Sequence, residues 1–230
     1  MKTCALFFVT FLFVSVSAVQ KAPAQASART DLYHVHFAKS TLGKGAEEGA
    51  FLKQPDPNSP MSGHFIVLRH QIGEDWDYVA IEHLGTKTTV NAAGNPAPGT
   101  ARDLNAWHTD SFVNGPPWPE FAKAMGLDDA ARSAGSVYVV SVFRAAPGHR
   151  DELEKSLGQP GSGSAGNLLL QHVEGGPWQF LTLTRYNSWE DFAKGEKSDA
   201  ADTLKPDGGW LSVRNQSSYH NDTVTDRIAP

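Results

Sequence analysis

Two histidines stand one residue apart at His34-Val35-His36. Strand side chains alternate between faces, so residues i and i+2 share a side, about 7 Å apart at their Cα atoms. Two imidazoles so placed can chelate one metal ion, with a third ligand drawn from His64, His70, Glu82 or His83. The same pair can move protons or orient a substrate, the use expected for His34 and His36, with Glu82 and His108 as the further catalytic candidates. His-x-His alone lacks the ligand count of a metal site, and hydrogen bonding in a semi-polar interior is the competing role. The leading expectation carries no metal and no cofactor. A metal- or haem-binding protein built on His34 and His36 is the alternative, and a non-catalytic structural or interaction module is the third reading.

Aromatic residues form a second set. Trp76 and Trp178, Tyr78 and Phe180, and Tyr33 and Tyr138 are paired along the chain, and His70 and His172 precede matching turns. Aromatic side chains dominate core burial, and a concave apolar pocket with few polar groups is what binds small molecules. Tyr33, His70, Trp76, Trp107, Tyr138 and His172 are the residues expected to line such a pocket. The expected partner is a small apolar or aromatic ligand.

These residues are positioned by an internal duplication. Gly43, Glu47, Leu52, Gln54 and Pro55 recur as Gly148, Glu152, Leu157, Gln159 and Pro160. Trp118, Phe121, Ala122 and Lys123 match Trp189, Phe192, Ala193 and Lys194. In the second copy, Val137–Arg144 is a β-branched run that reads as a strand. His149–Leu157 is a short amphipathic helix, and Asn167–Val173 and Trp178–Tyr186 form a hairpin. Asn187 or Ser188 caps another helix, and a last strand is expected near Asp222–Ile228. The first copy has strands at Leu32–Ala38, Gly63–His70 and Trp76–Leu84, and helices at Ala46–Leu52 and from Trp118 to Met125. An insertion over 85–117 separates its hairpin from its second helix. That segment carries Arg102, Asp103, Trp107, His108 and Asp110, and reads as a lid, a surface decoration, or a source for the missing fourth strand, with Thr86–Asn91 the candidate.

The order in each copy is β-α-β-β-α-β. One such sheet covers a single face with its helices, and a second sheet is the economical cover for the other. Tyr33, Val35 and Phe37 are therefore expected to meet the helices, and His34 and His36 to face the inter-sheet space. Pro147-Gly148-His149-Arg150-Asp151-Glu152-Leu153 and Tyr186-Asn187-Ser188-Trp189-Glu190-Asp191-Phe192 resemble the two helices of the dimeric α+β barrel superfamily. That group includes antibiotic-biosynthesis monooxygenase-like, NIPSNAP-like and stress-responsive domains. The resemblance implies an α+β fold of two ferredoxin-like repeats, 30–133 and 136–230, packed sheet to sheet as a barrel within one chain. It also implies cofactor-independent monooxygenase-like or isomerase chemistry.

Bulk properties set the limits. The 230 residues carry a formal charge of −5, which becomes −7 once Lys2 and Lys21 are removed with a leader. Charges are scattered without a basic stripe, so nucleic acid and anionic membrane are not expected partners. Residues 1–26 read as an export signal: Lys2, an apolar run from Ala5 to Val14, then small-residue A-x-A sites. A periplasmic or secreted location follows, with no membrane attachment after its removal and an oligomer allowed. Cys4 is the single cysteine, so disulfides and thiolate metal sites are excluded from the remaining chain. The chain has no G-x-S-x-G, Walker loop, strand-linked G-x-G-x-x-G or H-E-x-x-H.

Overall fold

The computed structural model describes residues 28–86, 103–129, 133–173, 176–205 and 209–230. The leader proposed for 1–26 and most of the first half of the insertion, Asn91 and Arg102 included, lie outside them. Eight antiparallel strands close into one barrel. The first half supplies β1 (Asp31–Ser40), α1 (Gly45–Leu52), β2 (Phe65–Ile72), β3 (Tyr78–Thr86), β4 (Asn105–Gly115) and α2 (Trp118–Met125). The second supplies β5 (Val137–Ala145), α3 (Arg150–Leu157), β6 (Gly166–His172), β7 (Phe180–Tyr186), α4 (Trp189–Asp202), α5 (Gly209–Gln216) and β8 (Ser217–Ala229). Around the barrel the order is β1-β3-β2-β8-β5-β7-β6-β4, and β4 returns to β1. Each half is thus a ferredoxin-like sheet, β4-β1-β3-β2 and β8-β5-β7-β6. Its outermost strand reaches across to the other half, β4 to β6 and β8 to β2.

The missing fourth strand comes from the second half of the insertion, Asn105–Gly115, and not from Thr86–Asn91; Thr86 ends β3. A lid reading does not hold for this stretch, because β4 is barrel wall along ten residues of β1. The fourth strand here precedes the second helix, whereas in the second half α4 and α5 precede β8. Two strands flanking a third and running parallel need a long crossover. In the second half those two helices provide it. In the first half α2 comes too late in the chain to do so.

Freed from that duty, α2 lies across one end of the barrel. Phe121 and Met125 are fully buried among inward residues of several strands. The Phe121 ring stacks on Tyr33 at 5.0 Å, Tyr138 donates to the Met125 carbonyl, and Arg185 donates to the Ala124 carbonyl. Gly126, with φ 69°, ends the helix in the left-handed conformation that glycine adopts without penalty. The corresponding α4, capped by the Ser188 hydroxyl accepting from the Asp191 amide, buries only Gly195. The matched residues of α2 and α4 therefore occupy unlike places.

The barrel interior holds the main core: Val35, Ile66, Leu68, Val79, Ile81, Val113, Val140, Leu170, Leu181 and Leu183, with their neighbours. Two smaller cores lie outside. One joins α1, through Leu52, to Phe65, Val67 and Ala80; the other joins α3, through Leu153 and Leu157, to Phe143 and Phe180.

Candidate functional site

Tyr33, Val35 and Phe37 point into the barrel, so His34 and His36 point out of it. This corrects the expectation that the histidines face the space between the sheets. The alternation is as expected but its direction is reversed. A closed barrel has one apolar interior, and the wholly apolar set takes it. The histidines are left on the outer surface of β1, beside the patch where α1 packs over β2 and β3.

On that outer face, register gathers five strand positions from three strands. His34 lies opposite Glu82 of β3 and Phe112 of β4, and His36 lies opposite Asp110 of β4. Asp110 Oδ1 accepts from both rings, 2.9 Å from His34 Nε2 and 2.8 Å from His36 Nδ1. Glu82 sits 3.3 Å from His34 Nδ1, and His108 Nε2 is 3.4 Å from the second Asp110 oxygen. All four catalytic candidates, His34, His36, Glu82 and His108, therefore meet in one place, around a carboxylate that the histidine spacing alone did not identify. The signal was present: His108-x-Asp110 on β4 has the same two-residue spacing as His34-x-His36 on the neighbouring strand.

The electrostatics follow from the contacts. Burial opposes charge on His34, but its hydrogen bonds to Asp110 and Glu82 outweigh that and push its pKa up to about 9. Hydrogen bonds from His34 and His36 hold the Asp110 carboxyl well below the usual carboxylate range. Behind the cluster, Glu48 of α1 is 1 % exposed and neither carboxylate oxygen has a hydrogen-bond partner. Burial pushes its pKa up, offset in part by Ser40 and by the charge of His36 and His108.

His64, His70 and His83 do not join this cluster. His83 points inward and is 4 % exposed. Its Nε2 lies 2.8 Å from Asp31 and its Nδ1 lies 3.1 Å from His64 Nδ1. The Asp31 carboxylate accepts from His83 Nε2–H, and the two Nδ1 atoms share one hydrogen bond. Trp118 of α2 stacks on both rings. His70 sits beside Trp76 with Nε2 buried and without a partner, and His172 meets Trp178 edge-on at 4.7 Å.

The pocket residues divide between the two ends. Tyr33 and Tyr138 are fully buried at the α2 end, their hydroxyls donating to the Pro116 and Met125 carbonyls, and are core rather than lining. At the opposite end the barrel opens into a cavity of about 180 Å3. Trp76, Trp107 and Trp178 line it with Phe37 and Tyr219, and Glu74, Thr109, Asn221 and Thr223 supply polar atoms. Glu74, Tyr219 and Asn221 were not legible as pocket residues, because they belong to a hairpin turn and to a strand whose first half was not recognised. His70 and His172 stand behind the tryptophans and do not line the cavity.

No known protein-family profile and no curated protein matches the chain. Solved structures do. One is a Lactobacillus acidophilus protein solved as a "putative monooxygenase", with TM-score 0.51 and 8 % identity over 86 % of this chain and 94 % of that one. Another is an anthrone oxidase-like protein, with TM-score 0.54 and 11 % identity over 86 % of this chain and 92 % of that one. At such identities the likeness is one of fold. Together with the strand order, it shows an α+β barrel fold with both ferredoxin-like halves in a single chain.

Proposed function

We propose that this protein binds a small planar aromatic molecule in the open mouth of the barrel. The observation that carries this reading is the cavity itself, with three tryptophans converging on about 180 Å3 while α2 closes the far end. Ligand sites of drug-sized molecules run to roughly 300–1,000 Å3, and an apolar cavity of about 150 Å3 takes a benzene ring. The mouth is therefore matched to one or two fused rings. A haem is far too large, and no histidine is among the lining residues, so the haem alternative finds no support.

Glu74 is the one carboxylate in the lining, and the Tyr219 hydroxyl is 3.5 Å from it. It is the group placed to accept a proton from a phenolic ligand, as monooxygenase-like chemistry without a cofactor would need. His34 and His36 cannot serve that ligand, because the barrel wall separates them from it. The neighbour named as a monooxygenase makes phenols and naphthols the first compounds to try, with an anthrone, one ring larger than the cavity is matched to, as the size control. The A-x-A sites after the apolar run favour an exported location, which amino-terminal sequencing of the protein recovered outside the cytoplasm would check.

The test is a titration with 1-naphthol, a hydroquinone and an anthrone, following tryptophan fluorescence, with oxygen uptake recorded in parallel. Saturable quenching that is lost in Trp178→Ala supports the site, and oxygen uptake lost in Glu74→Gln adds the chemistry. No quenching by any planar ligand, with the native protein carrying no retained molecule in native mass spectrometry, would remove the proposal.

A further inference from the structure

The outer cluster on β1 and β4 is independent of the mouth, and its donor set has a chemistry of its own. We propose that His34, His36 and Asp110 form a site for a divalent transition metal on the outer wall of the barrel, with His108 within reach as a fourth ligand and Glu82 orienting His34. Four observations converge on it. First, one atom from each of His34, His36 and Asp110 lies within 4.8 Å of the others. Tetrahedral zinc bonds of about 2.0–2.2 Å to nitrogen and oxygen put neighbouring ligand atoms about 3.3–3.6 Å apart. The 2.8 and 2.9 Å contacts in the cluster need to open by under 1 Å when a cation replaces the shared protons.

Second, the supporting carboxylate is in place. A metal-bound histidine nearly always gives its other ring N–H to a carboxylate or carbonyl. Glu82 lies 3.3 Å from His34 Nδ1 while His34 Nε2 faces Asp110, which selects the Nε2 atom for the metal. Third, the ligands come from adjacent strands of a closed barrel, fixed by the Asp110–His36 and Phe112–His34 pairings, so they are held without a loop. Fourth, Glu48 is a nearly fully buried carboxylate with no hydrogen-bond partner, close enough to His36 and His108 to sense their charge. A cation nearby would offset it. Two imidazoles with one carboxylate favour zinc, nickel, copper or iron(II) over calcium or magnesium, which select oxygen-only sets. Three protein ligands leave a fourth position for water, and His108 would fill it.

Zinc alone, then nickel, is titrated into untagged, chelator-stripped protein by calorimetry and by competition with a chromophoric chelator. Metal content is measured after gel filtration. The expected result is one ion per chain and a rise in melting temperature. Affinity should fall at least 100-fold in His36→Ala and in Asp110→Asn, and about 10- to 100-fold in Glu82→Gln, which removes a partner that never touches the metal. Asp110→Asn preserves shape, and circular dichroism confirms that each variant is folded. Should His36→Ala fail to fold, His36→Gln takes its place. Absence of stoichiometric binding, or binding that survives in the folded His36 and Asp110 variants, overturns the proposal. Because Trp178→Ala alters the mouth and not the outer wall, metal binding should be unchanged in it.

Discussion

Single side chains show best how this barrel departs from a uniform shell. Glu48 is a carboxylate held at 1 % exposure without a hydrogen-bond partner. Burying an unpaired charge is costly, and the group responds by holding its proton to higher pH than a free glutamate. Its folded pKa exceeds its unfolded value. The stability it contributes is thus present below the unfolded pKa of about 4.3 and is lost as pH rises through the folded one. Glu48→Gln is expected to raise the melting temperature of metal-free protein at pH 7.5, by an amount corresponding to about 1–3 kcal/mol. The gain should shrink toward pH 4.5 in a series of thermal melts. A second prediction concerns Trp107, which is 39 % exposed at the rim. Trp107→Ala should weaken an aromatic ligand by about 0.5–1.5 kcal/mol, read from the fluorescence titration, with circular dichroism unchanged.

At the scale of elements, α2 is the part whose role differs most from its repeat counterpart. Its removal from the sheet surface is what makes the mouth one-ended. Phe121 is fully buried against Tyr33 and Trp118, so Phe121→Ala should cost about 3–5 kcal/mol, measured by denaturant unfolding. The helix approaches β6 so closely that a Cβ built on Gly166 would lie 1.9 Å from the Ala124 carbonyl oxygen. Gly166→Ala must push α2 away or shift β6, and should destabilise by about 1–3 kcal/mol in the same assay. Strands and helices were largely legible from the sequence, because the repeat, the β-branched run at Val137–Ala145 and the alternation of Tyr33, Val35 and Phe37 with His34 and His36 carry strong local signals. Beta4 was not, since Asn105–Gly115 is polar and exposed along much of its outer face and lacks the apolar alternation of a strand. The β8 segment from Ser217 to Asn221 was missed for the same reason. The site was legible in composition but not in direction. Alternation gave two faces of β1, and only closure of the barrel says which face is inside.

The described strands of the molecule close into one barrel, with β4 and β8 making the two seams. Open edges invite pairing with other chains, and closure joins the outermost strands of the two halves, β4 to β6 through Val113 and Asn114 and β8 along β2. Fusing the halves also makes barrel closure an event within one chain. The melting temperature should accordingly be the same at 1 and 100 μM protein, whereas a barrel assembled from two chains would melt higher as concentration rises. Among the described residues no helix is long and apolar enough to cross a membrane.

A barrel made from two copies of one polypeptide must install every substitution twice, related by the twofold axis. The fused chain is released from that rule, and β1 and β5 show the result. The positions of His34 and His36 are taken by Val139 and Ser141 on β5, of which Ser141 is buried. One flank could thus acquire ionisable groups while its twin kept a mute, packed surface, so a cation held by the proposed site would be one per barrel and not a pair.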